Sequence, residues 1–205
     1  MILILIGKSG SGKDTILKRL IDDRTVNKIV SYTTRPMREG EVNGIDYNFV
    51  TESKFFEMMQ EGKFFETRHY DTQLNGNHDV WHYGSELICP ESRIPYGAIV
   101  DVEGARDYIR TYGKENVFVV YVDVSDFVRE QRARKRGSFD ETEWNRRLKD
   151  DNIKFDPSII NDISDLIVNN ENDIRDTIFE IVYEFYNFTM NKYKCMNHIR
   201  VEETK

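Results

Sequence analysis

Short apolar runs alternate with amphipathic helical patterns along most of the chain. Continuous runs of apolar and β-branched residues predict buried strands at residues 2–6, 28–31, 98–102, 117–122 and 166–168. Apolar residues at helical spacing predict helices at residues 13–23, 104–111, 125–135 and 173–186. Because buried strands that alternate with helices form parallel sheets, the pattern predicts an α/β fold with a mostly parallel central sheet flanked by helices.

Residues 33–88 interrupt this alternation and predict a small inserted α+β lobe. The lobe contains the strand-like stretch "YNFV" and then a helix over residues 52–62. Thr51 is expected to cap the start of that helix, and Gly62 is expected to end it. The remaining segments are assigned to a core (residues 1–32, 89–130 and 148–190), a flap (131–147) and a polar, frayed tail (191–205). The chain is therefore predicted to form a single domain.

The composition is that of a globular protein with an acidic charge balance. Of the 205 residues, 39% are hydrophobic and 32% are charged, and the net charge is −7. An acidic surface argues against a general binder of nucleic acid or of membranes, because both interactions depend on basic patches. The apolar N-terminal run "MILILI" is too short to span a bilayer. Cys89 and Cys195 stand far apart and predict reduced thiols, so we expect a cytoplasmic protein.

The stretch "GKSGSGKDT" follows the first predicted strand and opens the first predicted helix. Gly7, Gly12 and Lys13 meet the phosphate-loop pattern G-x-x-x-x-G-K. Glycines at this spacing let backbone N–H groups point at phosphate oxygens, and the lysine adds a positive charge. A glycine- and serine-rich turn without a ligand is the alternative. The motif favours a P-loop NTPase-like fold whose ATP-binding residues are Gly7, Ser9, Gly10, Ser11, Gly12, Lys13, Asp14 and Thr15.

Asp14 departs from the pattern, because a serine or threonine usually occupies this position and binds Mg²⁺. A carboxylate can also bind Mg²⁺, directly or through water, since this ion favours hard oxygen ligands. Thr15 supplies a hydroxyl one residue later, where it is expected to face the α-phosphate or the loop. Asp14 is therefore the candidate magnesium ligand.

The block "SYTTRPMREGEVNGIDYNFV" contains two arginines three positions apart, Arg35 and Arg38, beside Tyr47. Two guanidinium forks and a phenol can bind one phosphate. Together with "FEMMQEGKFFE" and "HYGS", this block closely resembles guanylate kinase, whose pattern is S-x-T-T-R-x-x-R-x-G-E-x-x-G-x-D-Y-x-F. The resemblance extends from Gly7 to about Asn170. It implies that the inserted lobe binds the acceptor monophosphate and that residues 131–147 form a helical lid.

Matching positions carry the family's functional residues onto this chain. The resemblance implies that the acceptor phosphate is bound by Arg35, Arg38, Tyr47 and Tyr83, and that the base is bound by Ser31, Glu66 and Ser85. A carboxylate at Glu66 accepts from guanine N1–H and the 2-amino group, which adenine lacks. Asp101 is expected to face the guanine or the metal, and Asn169 the adenine of ATP. The implied catalytic residues are Lys13, Arg38, Arg132, Arg136 and Arg147.

The chain departs from the family pattern near the acceptor base. In "IVDVEG", Ile99 and Glu103 replace an aspartate and a glutamine, and "DTQLNGNHDVW" lengthens the link between Glu66 and Tyr83. This insertion and the residues beside it contain His69, Asp71, His78, Asp79 and His82. A metal site there is an alternative, but the Asn-Gly turn favours a polar hairpin.

The resemblance implies transfer of the γ-phosphate of Mg²⁺-bound ATP to GMP or dGMP, giving ADP and GDP or dGDP. An acceptor of another kind, either a different nucleoside monophosphate or a small phosphorylated sugar, is one alternative. A non-catalytic interaction module is the other. The expected partner is the small-molecule substrate, with no nucleic acid and no membrane, and the expected state is a monomer or homodimer.

Overall fold

The computed structural model describes residues 1–74, 77–89, 93–135 and 139–202, with side chains described except at 72–78 and 193–202. The chain divides into two compact units, residues 1–27 with 90–205 and residues 28–89. The strands are β1 (Ile2–Ile6), β2 (Asn27–Lys28), β3 (Tyr32–Thr33), β4 (Asn48–Phe49), β5 (Phe64–Leu74), β6 (Asn77–Glu86), β7 (Tyr96–Ile99), β8 (Val117–Asp123) and β9 (Leu166–Asn169). The helices are α1 (Lys13–Asp22), α2 (Glu52–Gln60), α3 (Val102–Tyr112), α4 (Asp126–Lys135), α5 (Glu141–Lys154), α6 (Pro157–Ile163) and α7 (Ile174–Glu202), with a 3₁₀ turn at Lys114–Asn116.

The larger unit is built on a five-stranded sheet in the order β2-β7-β1-β8-β9. Strand β1 pairs in parallel with both β7 and β8, and β8 pairs in parallel with β9. All five residues of β1 are fully buried, as expected of a central strand covered on both faces. The predicted α/β fold with a mostly parallel central sheet is confirmed.

Helices complete the core on the sheet. Helix α1 buries Ile16, Leu17 and Leu20 in the same apolar cluster as β1, β8 and two residues of α7, Ile181 and Phe185. Burial of each such side chain contributes about 1.5–3 kcal/mol to the stability of the folded state. Because β1 ends at the start of the phosphate loop and α1 begins at its end, this core holds both ends of the loop.

The smaller unit contains a four-stranded sheet in the order β4-β3-β6-β5. Strands β5 and β6 form a long antiparallel hairpin, paired from Phe64 with Glu86 to Leu74 with Asn77. Thr51 caps α2 by accepting from the Lys54 N–H at 3.3 Å, as predicted. The sequence inserted between Glu66 and Tyr83 therefore lengthens two paired strands.

Several element boundaries differ from the sequence prediction. Of the strand expected at residues 28–31, only Lys28 is in a strand, at the end of β2, and β3 begins at Tyr32 in the other sheet. Helices α5 and α6 were not predicted as separate elements, and α7 continues to Glu202 where a frayed tail was expected. Within the described part of the chain, no helix is both long and apolar enough to cross a membrane.

Candidate active site

The phosphate loop has the backbone shape that its glycines predict. Gly10 and Gly12 have φ angles of 83° and 95°, which residues with a side chain rarely adopt. A Cβ atom at Gly12 would lie 2.5 Å from Asn170 Nδ2, and one at Gly7 would lie 2.7 Å from the Val122 carbonyl oxygen. Glycine at these positions therefore permits both the turn and its close contact with neighbouring elements.

Lys13 reaches back over the loop that precedes it. Its Nζ donates to the carbonyl oxygens of Gly7 and Lys8 at 2.7 and 3.0 Å and to Ser11 Oγ at 3.3 Å. The ammonium group is thus held over the loop, where it would meet the negative charge of a bound phosphate. Asp14 and Thr15 follow in the first turn of α1, and both are exposed.

A cleft of about 310 Å³ opens beside the loop and the start of α1. Its lining residues are Gly12, Thr15, Arg132, Lys135, Asn170, Asn172 and Ile174. The buried Asn170 donates from Nδ2 to the Ser11 carbonyl at 2.8 Å, whereas its neighbour Asn169 is exposed and accepts from the Glu171 N–H. The asparagine side chain that reaches the loop is therefore Asn170, and the position of Asn169 beside the adenine of ATP stays a prediction.

The arginines expected in the lid have different partners. Arg132 of α4 donates to the Asn170 carbonyl at 2.6 Å and to the Ser11 carbonyl at 3.4 Å, so it lies beside the loop. Arg147 of α5 is exposed and donates to Glu143 Oε1 at 2.6 Å in the same helix. Arg136 lies outside the described residues.

The sequence analysis missed a charged pair that contacts the loop. Arg129 of α4 and Asp151 of α5 are both buried, and each bonds to a backbone group of Ser9. The sequence around both residues is polar, and nothing in it indicates that two charged side chains of separate helices meet.

The smaller unit brings the expected base-binding residues together. Ser31 Oγ and Ser85 Oγ lie 3.0 Å apart, and Glu66 pairs in register with Ser85 across β5 and β6. Glu66 and Ser85 are 8% and 1% exposed. A buried carboxylate beside two hydroxyls can accept from two donors of a base while the hydroxyls donate to a carbonyl. Guanine offers this combination of groups on one edge.

The expected phosphate-binding residues form a second cluster in the same unit. The Arg35 guanidinium lies 5.4 Å from the centre of the Tyr47 ring, and the Tyr47 and Tyr83 rings are 5.8 Å apart. Arg35 is buried and donates to Glu41 Oε1 at 2.7 Å. Burial opposes ionisation of Glu41, but hydrogen bonds from Arg35 and from the Arg38 backbone N–H lower its pKa below the usual value. Glu41 thus holds the guanidinium in place, while the Arg38 residue is exposed.

Asp101 has a structural role at the start of α3, and its expected role toward guanine or the metal stays a prediction. Its Oδ1 accepts from the Gly104 N–H at 2.9 Å and caps helix α3, and its Oδ2 lies 4.0 Å from Lys154 Nζ.

In the hairpin, His82 pairs in register with His69 and lies 3.8 Å from Glu52. Among the described residues, no three His, Cys, Asp or Glu side chains are grouped as a metal ion would require.

Comparison with known proteins gives a consistent result. The sequence profile of the guanylate kinase family, described as "Guanylate kinase", matches residues 1–185. The guanylate kinase of Chlorobium luteolum is 28% identical over 203 residues, which cover 93% of each chain. That of Nostoc sp. is 36% identical over 172 residues, covering 78% of this chain and 82% of the relative. The crystal structure of guanylate kinase from Anaplasma phagocytophilum shares the fold, with a TM-score of 0.65 at 23% identity over 91% of this chain and 85% of the other.

Proposed function

The chain belongs to the guanylate kinase family, and we propose that it is an ATP-dependent kinase that phosphorylates GMP or dGMP. In this reaction the 5′-phosphate of the acceptor attacks the γ-phosphorus of ATP, and the bond from that phosphorus to the β,γ-bridging oxygen breaks. The products are ADP and GDP or dGDP. Because no covalent enzyme intermediate is needed, catalysis consists of positioning the two substrates and stabilising the charge on the transferring group.

The observation that carries the choice of acceptor is the buried Glu66 beside Ser31 and Ser85. Glu66 Oε2 lies 3.8 Å from Arg68 Nη1, and the two carboxylate oxygens can in addition accept from N–H groups of an acceptor base. Guanine supplies N1–H and the 2-amino group, and its O6 can accept from a hydroxyl. Adenine leaves the carboxylate without these donors, which supports strong discrimination against AMP.

The donor side of the proposal is supported by the phosphate loop. Lys13 and the loop N–H groups would bind the β- and γ-phosphates, and Arg132 would add positive charge from α4. In the acceptor unit, Arg35, Tyr47 and Tyr83 would bind the monophosphate, with Arg38 at the reacting end. The cleft beside Asn170 would hold the nucleoside of ATP.

The residues beside the phosphate loop offer few side-chain oxygens that could bind a magnesium ion. Asp14 offers an exposed carboxylate at the start of α1, whereas Asp101 Oδ1 already caps α3. Asp14 would therefore be the main protein ligand, and most of the coordination would come from phosphate oxygens and water. When bound, the ion would neutralise charge on the β- and γ-phosphates.

An assay of ADP release tests the proposal directly. The purified protein is supplied with ATP, Mg²⁺ and, in turn, GMP, dGMP, AMP, CMP, UMP or dTMP. We expect GMP or dGMP to have a kcat/KM at least about a thousandfold above that of AMP. The absence of turnover with every monophosphate would contradict the proposed activity, and a preference for another base would move it to a different acceptor.

The variant Glu66→Gln tests the role assigned to the base pocket. An amide presents one acceptor and one donor where two acceptors are needed, so kcat/KM for GMP should fall by about a hundredfold or more. ATP affinity should stay unchanged. Glu57→Gln is the matched control, because Glu57 is an exposed glutamate of the same unit that pairs with Lys54. Equal losses in both variants would remove Glu66 from the base pocket.

A further inference from the structure

One buried charged pair binds both backbone groups of a single phosphate-loop residue. Arg129 Nη1 donates to the Ser9 carbonyl at 2.7 Å and to Asp151 Oδ2 at 3.1 Å. The same carboxylate oxygen accepts from the Ser9 N–H at 2.8 Å. Arg129 is 0% exposed and Asp151 is 8% exposed. The conformation of the loop at Ser9 is therefore set by side chains that lie 120 and 142 residues further along the chain.

Other contacts join the pair to the helices that carry it. Arg129 Nη2 donates to Asp126 Oδ1, and the guanidinium lies 5.4 Å from the centre of the Trp144 ring in α5. Lys8, next to Ser9, donates from Nζ to Asn152 Oδ1 at 2.7 Å. A Cβ atom at Gly10 would lie 3.2 Å from the Arg129 carbonyl, so the loop backbone packs directly on α4. The first half of the loop is thus attached to both helices.

The charged character of the pair calls for an explanation beyond stability. A buried ion pair is a weak source of folding stability, because removing both charges from water offsets most of their attraction. Apolar side chains of similar size commonly replace such a pair without loss of stability. What they cannot replace is the directional bonding of the Ser9 N–H and carbonyl groups. That bonding keeps the Ser9 peptides from turning and so limits the orientations open to the N–H groups that follow.

We infer that Arg129 and Asp151 are positioning residues that shape the phosphate loop for the phosphates of ATP. They act through the Ser9 backbone and do not contact the nucleotide. Arg129 donates to a carbonyl that would otherwise compete for the loop's own N–H groups, and Asp151 orients the Ser9 N–H away from the phosphate site. The inference rests on the proposed function only in that ATP binds this loop, and it holds whichever acceptor is used.

The test compares ATP affinity among variants by calorimetry, with no acceptor present. The double variant Arg129→Met with Asp151→Leu replaces both charged side chains with apolar ones. Arg134→Met is the matched control, because Arg134 is an exposed arginine of α4 that pairs with Glu130 four residues earlier. We expect the double variant to keep its folded circular dichroism spectrum and to raise the Kd for ATP by about ten- to a hundredfold. The control should match the wild type.

Steady-state kinetics separate positioning from general damage. In the double variant, KM for ATP should rise in step with the Kd while KM for the monophosphate stays within about twofold. The single variant Arg129→Lys keeps a positively charged donor, so its affinity for ATP should lie between those of the wild type and the double variant. If the double variant does not fold, Asp151→Ala removes the acceptor of the Ser9 N–H while Arg129 keeps its pairing with Asp126, and its Kd for ATP should still rise by about tenfold.

Two results would overturn the inference. One is wild-type ATP affinity in a folded double variant or in Asp151→Ala, which would make the pair a replaceable part of the core. The other is an equal rise in KM for both substrates, which would indicate general distortion. If the wild-type protein binds ATP but phosphorylates no monophosphate, the proposed function fails, and the calorimetric comparison still decides this inference.

Discussion

Gly12 is predicted to be hard to replace in the phosphate loop, and the variant Gly12→Ala measures the cost. At its φ of 95° an alanine adopts a backbone conformation that costs about 1–2 kcal/mol. The new Cβ atom would also lie 2.5 Å from Asn170 Nδ2 and force that side chain to move. The 2.8 Å hydrogen bond from Asn170 Nδ2 to the Ser11 carbonyl would then break, and a buried donor that loses its partner costs about 1–3 kcal/mol. The free energy of unfolding should therefore fall by about 2–5 kcal/mol in total.

Gly62→Ala is the control for the backbone part of this cost. Gly62 has a φ of 68°, and apart from its own chain neighbours no described residue comes within 4 Å of where its Cβ would be. Its substitution should cost only the backbone share, about 1–2 kcal/mol. Urea denaturation followed by circular dichroism gives both values, and ATP-dependent thermal stabilisation should disappear only in Gly12→Ala. If Gly12→Ala were no more destabilising than Gly62→Ala, the contact with Asn170 would not constrain the loop.

The remaining predictions concern the metal ligand and the acid range. Asp14→Ser should change kcat by no more than about tenfold, or ~1.4 kcal/mol in the barrier, because phosphate oxygens and water supply most of the magnesium coordination. Lys13→Ala should lower kcat by about a hundredfold or more, since its charge has no substitute at that position. Both values come from the ADP-release assay, and near-complete loss in Asp14→Ser would instead make Asp14 an essential ligand. Hydrogen bonds from Arg146 and Arg147 outweigh burial and lower the pKa of Glu143 from 4.5 to about 2. The stability that Glu143 contributes is therefore complete above pH 4.5 and is lost as the pH falls toward 2. Because the Glu143 side chain is 39% exposed, solvent screening limits this contribution to about 1 kcal/mol. The stability difference between wild type and Glu143→Gln, measured by urea denaturation, should shrink across that range, and a constant difference would contradict it.

The effect of ATP on the melting temperature distinguishes an enzyme from a non-catalytic interaction module. A module of that kind would not need ATP, so its melting temperature should not change when ATP is added. A protein with the phosphate loop and Lys13 geometry described above should be stabilised by about 2.7 kcal/mol when ATP is present at a hundred times its Kd.

Elements that depend on neighbouring residues were predicted well from the sequence. Strand β1 begins and ends at the predicted residues, and α1, β8 and α4 differ from the prediction by a single residue at one end. Thr51 caps α2 as expected. Apolar runs, helical spacing and capping act within one or two turns of chain, so the sequence alone determines them. The residues that resemble the family's acceptor site follow the same logic, because a motif is itself a local pattern.

Contacts between distant segments could not be predicted in this way. The tertiary structure decided that Asn170 rather than Asn169 reaches the loop, because strand pairing sets which of two adjacent side chains faces inward. It decided that Glu41 holds Arg35 and that Asp101 caps α3. It also brought Arg129 and Asp151 together at Ser9. Their burial depends on how α4 and α5 pack on the loop. The local sequence around each of them is polar, and by itself it indicates an exposed helix face.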